Sequence, residues 1–478
     1  MLIRQVMLRG ADAPTDLRAT AGRIVEIGPS LPRRAGEEVH EAGGALAIPG
    51  LWDQHVHAGQ TAQGYARLDT AGAASTAEIV ARVAAVLGAD PVLVGFGHRL
   101  VDLAGEPTVA ALDAVGGDRV PVVLIGGDAH HAWMSSAALA ALGLPPRAGI
   151  VAEDEWFDAV ARLEELPGVA AGLEAGIDRL QEDALSRGLV GLTDMEWGET
   201  WSLWRRRDEE GRVRMRVRTA TYASGLPAVP GPTGTVLGPS GLVTMGPLKV
   251  IADGSLGSRS AYCRHAGGPV GVLSDYALEL PQLLTRAAQL GLEPAIHAIG
   301  DAAVGVVLDA FAVTGARGRI EHAQLLADED VARMARLGVR ASVQPAHLLD
   351  DRDPTEELMP GAAHLAYRFR DLLAAGVPLL FGSDAPVAPV DPWLAMAAAV
   401  HRSADEREAW HPEQALQPHE ALLASTDGID ALRVGGPADV VLLAEDPFEE
   451  VPSAAAAREA AARLREVRPL ATIVAARG

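Results

Sequence analysis

Between residues 45 and 383 the sequence alternates short apolar runs with amphipathic stretches, and this alternation constrains the fold more than any other feature. Strand-like runs fall at Ala45–His57, Leu189–Met195, Arg214–Tyr222, Leu248–Asp253, Glu293–Ile299, Arg319–His322, Val339–Gln344 and Val377–Ser383. Helical periodicity is clearest at Leu280–Leu290, Asp328–Leu337 and Phe369–Ala375. Strands alternating with helices read as βαβ units on a parallel sheet, and eight strands are what a closed (β/α)8 barrel requires. The two ends differ. Leu2–Leu8, Arg23–Ile27, Ala438–Ala444 and Leu470–Ala475 are short β-like runs, with a helix predicted over Ala454–Val467. The expected fold class is therefore α/β: a TIM barrel over residues 48–424, with a small β-sandwich built from residues 1–47 and 425–478. Residues 60–180 do not fit the strand count and read as a large insertion after the first barrel strand. The alternative is that Val120–Ile125, within that segment, is itself a barrel strand.

Composition narrows the partners. At 478 residues and 49% hydrophobic, the chain has ample material for a large core. Its net charge of -22 excludes nucleic acid as a natural partner, because phosphate neutralisation needs a surplus of Lys and Arg. The arginine-rich stretch Arg205–Arg218 is mixed in sign and reads as a solvated face. Cys263 is the lone cysteine, which excludes an intramolecular disulfide and a thiolate metal cluster. Arg4 and Arg9 interrupt the first apolar stretch before a signal-peptide core forms. No apolar run reaches the roughly 18 residues of a membrane span. The expectation is a cytoplasmic protein with no membrane partner; self-association is left open.

The chain has a single lysine, Lys249, among 41 basic residues, and no asparagine. Where every tolerant position has become arginine, a retained lysine is a candidate for chemistry a guanidinium cannot do, since a buried amine can lose its proton. His55 and His57 stand two apart at the end of the first strand, so both face one way. In a barrel that end is the active-site mouth. His297 ends the fifth strand, His322 the sixth, and Asp384 follows the eighth. Each would be costly to bury alone. A shared divalent cation resolves them together, with zinc first among the metals that suit imidazole and carboxylate, and manganese or iron as alternatives. A neutral lysine amine can add carbon dioxide to give an anionic carbamate, able to bridge two metals about 3.5–4 Å apart. The other role open to Lys249 is hydrogen-bond donor or Schiff-base nucleophile beside one metal.

The segments Pro49–His57, Lys249–Arg259, Ile296–Asp301, Ile320–Ala323 and Phe381–Asp384 together resemble the metal-dependent amidohydrolase superfamily. More narrowly they are similar to the branch that includes N-substituted formamide deformylase, as are Ser342–His347, Asp128–Trp133 and Gly436–Leu443. The resemblance implies one or two divalent ions. His55, His57 and Asp384 would hold one, His297 and His322 the other, and carboxylated Lys249 would lie between. It also implies that metal-activated hydroxide hydrolyses a C–N bond of a small amide or an N-acyl or N-formyl amine, with Asp384 as general base and acid. His130, Trp133 and His347 are candidates for the pocket lining, and Asp253 and Arg259 for substrate contact. Asp301 reads as a helix cap. Two positions depart from the branch. Trp197 stands where an aspartate is usual, with Glu196 beside it, and Ala58 follows His57 in place of a bulky apolar residue. Two other classes remain: a barrel lyase or isomerase using Lys249 without a binuclear centre, and a non-catalytic scaffold.

Overall fold

The structure, a computed structural model, describes the chain apart from residues 89–90, 99, 101–102, 127–130, 161, 257–259, 265–270, 404–406 and 476–478. Contacts divide it into two compact units, residues 1–58 with 181–478, and residues 59–180.

The larger unit carries the barrel. Its strands are Leu51–Val56, Leu189–Asp194, Arg216–Thr221, Val243–Ile251, Pro294–Ala298, Arg319–His322, Arg340–Val343 and Leu379–Phe381. They pair in parallel in chain order. The ring closes where Asp384 N donates to His55 O at 2.7 Å and His57 N to Ala385 O at 2.9 Å. Strands of this kind are covered on both faces, which explains their nearly continuous apolar runs; the first two are buried at every position. Closure depends on a glycine, because a Cβ on Gly382 would come within 2.8 Å of His55 N.

The first predicted strand is in fact two. Leu46–Pro49 belongs to the terminal sheet and Leu51–Val56 to the barrel. Gly50 lies between them, where a Cβ would strike Val190 at 2.4 Å. The terminal sheet runs in the order Ala471–Ile473, Val440–Leu443, Leu46–Pro49, Leu2–Leu8, Thr15–Thr20, Arg23–Gly28, with Val39–Glu41 also on Leu2–Leu8. Val440–Leu443 pairs antiparallel with Leu46–Pro49, so both chain ends share one sheet. Ile3, Val6, Leu17, Ile24, Val440 and Leu442 bury its apolar face.

The 59–180 unit has its own five-stranded sheet, ordered Val151–Ala152, His131–Met134, Val122–Gly126, Leu93–His98, Leu68–Asp69. Val122–Gly126 is the centre of that sheet and not a barrel strand. Its two sides are separate apolar clusters, one around Ile125, Met134 and Trp156, the other around Ile79, Leu124 and Trp133. Among the described residues no helix is long and apolar enough to cross a membrane.

Candidate metal centre at the barrel mouth

Strand alternation and two backbone turns bring the chemistry-bearing side chains together. His55 and His57 follow one another on the same side of the first strand, with ring centroids 5.5 Å apart. Lys249, on the fourth strand, is in register with Ala295 on the fifth, and Ile251 with His297. Its Nζ lies 3.1 Å from His55 Nε2. On the sixth strand Glu321 reaches inward to His55, so simple alternation would turn the next side chain, His322, outward. The backbone prevents this: His322 adopts φ 71° and Ala323 φ 42°. The His322 ring thereby stands 4.4 Å from that of His297 and 5.2 Å from that of His55. Asp384 is also left-handed, at φ 56°. Such conformations cost non-glycine residues about 1–3 kcal/mol each and concentrate at functional sites.

Asp384 is the hub. Its Oδ1 lies 3.4 Å from both His55 Nε2 and His57 Nε2, and its Oδ2 lies 3.9 Å from His347 Nε2. Two sets of donor atoms fall within 4.8 Å of one another: His55, His57 and Asp384, and His322, His347 and Asp384. His347, expected to line the pocket, thus sits against the carboxylate itself, and its Nε2 also bonds the Ser383 carbonyl at 3.2 Å. His297 is brought in by its ring, but its Nε2 points to the Gly254 carbonyl at 3.2 Å. That contact requires Nε2–H and leaves Nδ1 as the lone-pair nitrogen.

The electrostatics favour a cation. Burial, then the Lys249 charge, pushes His55 down to about 4 and His297 down to about 3. Burial and the neighbouring His297 push His322 well below the ordinary imidazole range. Burial lowers Lys249 to about 8, against the raising pull of Glu321 and Asp384. Burial raises Asp384, but the His55 charge, the His57 hydrogen bond and the charges of His322 and His347 outweigh it and hold the carboxyl well below its usual range. At neutral pH these three imidazoles are therefore uncharged beside an ionised carboxylate, and each keeps a lone pair that a cation could take. The Nδ1 of His322 is buried with no hydrogen-bond partner among the described residues. Neutral imidazoles, a carboxylate and an orphaned ring nitrogen are the donor set a divalent metal takes.

The surrounding positions are braced by backbone. Asp53 Oδ1 accepts from His55 N at 3.1 Å and Ser383 N at 2.9 Å, tying the first strand to the eighth, and burial raises it to about 6. Asp194 accepts from Ala58 N, Glu196 N and Trp204 Nε1 at 3.1, 3.0 and 2.7 Å. It holds the turn in which Trp197, 56% exposed, stacks on Tyr222 at 4.4 Å.

Three further predicted residues bond to backbone. Asp253 has both oxygens engaged by backbone: they accept from Ile299 N, Gly300 N and Tyr262 N at 3.0, 2.8 and 2.9 Å, which braces the loop after His297. Trp133 is fully buried inside the 59–180 unit, with Nε1 donating to Thr108 O at 2.8 Å. Asp301 is the first helical residue and not the cap, and accepts from Arg264 N at 2.8 Å. His130 and Arg259 lie outside the described residues. Glu321 and Asp53 were not expected at the site. The clue to Glu321 is a carboxylate beside His322 in an otherwise apolar run.

Comparison with known proteins points the same way. A model of the amidohydrolase family matches residues 38–475. The chain is 30% identical to Protein LONG AFTER FAR-RED 3 of Arabidopsis thaliana, covering 90% of this chain and 84% of that protein. It is 26% identical to N-substituted formamide deformylase of Arthrobacter pascens, covering 94% and 93%. Among solved structures, an uncharacterized metal-dependent hydrolase from Pyrococcus horikoshii superposes with a TM-score of 0.80 at 26% identity, covering 94% of this chain and 98% of that one. A Pyrococcus furiosus counterpart gives 0.80 at 27%, covering 94% and 99%.

Proposed function

The chain belongs to the amidohydrolase family and is a metal-dependent hydrolase; from that premise we propose that it cleaves the C–N bond of a linear amide or an N-acyl amine, N-formyl amines included. The observation that carries the reading is the position of Asp384 Oδ1, 3.4 Å from the Nε2 atoms of both His55 and His57. His55, His57 and Asp384 would hold one ion, His297 and His322 a second, and Lys249 would lie between them. Zinc is the proposed metal, on the nitrogen and oxygen character of the donors. Bound here, a divalent cation supplies Lewis acidity toward a carbonyl and a nucleophile at neutral pH.

The chain's own groups do the rest. Asp384, ionised at neutral pH, accepts a proton at a carboxylate oxygen and returns it to the leaving nitrogen, so the amine departs neutral. The Lys249 amine, lowered to about 8, is partly unprotonated near neutrality. Its nitrogen can then bond the carbon of carbon dioxide and release one proton, leaving a carbamate anion in place of an ammonium. His347, against both Asp384 and the Ser383 carbonyl, would fix the carboxylate and border the reacting carbonyl. The lone Cys263 is buried, which fits a reducing compartment, and we propose the cytoplasm.

The test is turnover by the zinc-reconstituted protein across N-formyl amines, N-acyl amines, N-acyl amino acids and cyclic amides. Release of free amine from linear substrates is expected. Hydrolysis of esters or phosphoesters with no amide turned over would reject the C–N reading. Lys249 beside His55 at 3.1 Å also fits a Schiff-base lyase or isomerase. Borohydride inactivation with substrate mass added at Lys249 would favour that reading instead.

A further inference from the structure

A line of polar side chains, buried at Glu321, Arg319 and Gln54, runs from the metal centre to Asp427 and Arg218. It starts at Glu321, fully buried, whose Oε2 lies 2.9 Å from His55 Nδ1. Its other oxygen, Oε1, lies 2.6 Å from Arg319 Nε, an ion pair whose N–H is poorly aligned for a hydrogen bond. Arg319 donates from Nη1 to Gln54 Oε1 at 2.9 Å and from Nη2 to the Gln54 carbonyl at 3.4 Å. Gln54 Nε2 donates to Asp427 Oδ1 at 2.7 Å. Arg218 grips Asp427 with both terminal nitrogens and lies 4.0 Å over the Trp52 ring.

An ionised carboxylate only accepts, so the nitrogen of His55 facing Glu321 must carry the proton. The Gln344 amide nitrogen, 3.5 Å from the same Nδ1, cannot also donate into it. The remaining lone pair is then on Nε2, the atom facing Asp384 Oδ1 and Lys249 Nζ. Resting on the metal-centre reading above, we infer that Glu321 is a positioning residue: it holds His55 as the Nδ1–H tautomer with Nε2 presented to the metal. Arg319, itself held by Gln54 and Asp427, keeps Glu321 charged and in place. A carboxylate behind a ligating imidazole fixes ring orientation and strengthens the ligand, and its loss weakens metal binding by about 10–100-fold.

The test is zinc affinity of the full chain, measured by chelator competition, for the parent, Glu321→Gln and the double variant Arg319→Met/Glu321→Gln. The double variant leaves no uncompensated buried charge, so it guards against misfolding of the single one. Both should bind zinc about 10–100-fold more weakly than the parent. Arg216→Met, which breaks an ion pair off this line, should keep parental affinity. A folded Glu321 variant with parental affinity overturns the inference alone. A parent that takes up no zinc fails the metal-centre reading and the inference with it. A second readout needs no variant at Glu321: nitrogen-15 spectra of the metal-free parent, with His55 assigned from a His55→Gln sample, should show Nδ1 protonated. Protonated Nε2 with bare Nδ1 would overturn it.

Discussion

The two ends of the barrel bury charge in different ways. Near the terminal sheet, Asp439 and Asp427 each meet a guanidinium. Arg216 grips Asp439, at 3.1 Å from Nη2, and donates to the Ala475 carbonyl at 2.8 Å, while Arg218 grips Asp427. At the mouth, one carboxylate oxygen lies 3.4 Å from two imidazole nitrogens, His57 bonding it and His55 Nε2 turning a lone pair toward it, and the lysine among them sits where burial disfavours its charge. Asp439 on the floor and Asp384 at the mouth are comparably buried, at 7% and 12% side-chain exposure, so burial alone does not separate structure from function. What separates them is whether the polar groups complete one another. The Arg216 and Arg218 pairs complete themselves, whereas the mouth keeps a buried His322 Nδ1 with no partner among the described residues, beside a donor set that a cation could join.

The contrast can be broken most sharply at Asp384. Asp384→Asn keeps a ligand oxygen but loses the proton acceptor, so turnover should fall on the order of 10²–10⁴-fold while the melting temperature barely moves. Equal losses of turnover and stability would make the residue structural. Lys249→Arg comes next: it keeps the cation but cannot become neutral. Zinc affinity should fall by at least about 10-fold, as read by chelator competition, and normal uptake and activity would end the bridging role. The floor should respond in the opposite sense. Arg216→Met strands Asp439, only 7% exposed, and should cost about 3–5 kcal/mol in chemical denaturation with per-molecule activity unchanged. The smallest effect is a pH dependence at Asp194, raised from 3.8 to about 6, chiefly by burial and secondarily by the Glu196 charge. An acid raised on folding gives stability that is present below its unfolded value and is lost as pH rises through its folded one. Relative to Asp194→Asn, the parent should therefore lose about 2 kcal/mol between pH 4 and pH 7. A constant difference across that window would refute it.

How far the molecule can be read from its sequence follows the same division. Most of the barrel strands are legible as short apolar runs, the arginine-bearing Arg216–Thr221 and Arg319–His322 being the departures, and His55, His57, Lys249, His297, His322 and Asp384 fall at or near their ends. Glu321 is not legible in that way. Alternation puts it opposite His322, and only the left-handed backbone at His322 lets both face the centre. The bracing role of Asp253 is hidden because its partners Ile299 and Gly300 come from a different strand end, so nothing local reveals that its oxygens are used. In the 59–180 unit, Leu68–Asp69 and Val151–Ala152 are two-residue strands, too short for alternation to register. Trp133 looked available for a pocket because its burial depends on that unrecognised sheet.

The most direct test of the central claim is elemental analysis of the parent after metal stripping, exposure to zinc and desalting, with His57→Ala/Asp384→Ala as control. Retention of at least one zinc ion per chain by the parent, and little by the folded control, is the predicted result. A parent that comes off the column metal-free, or a control that retains zinc equally well, would contradict the account.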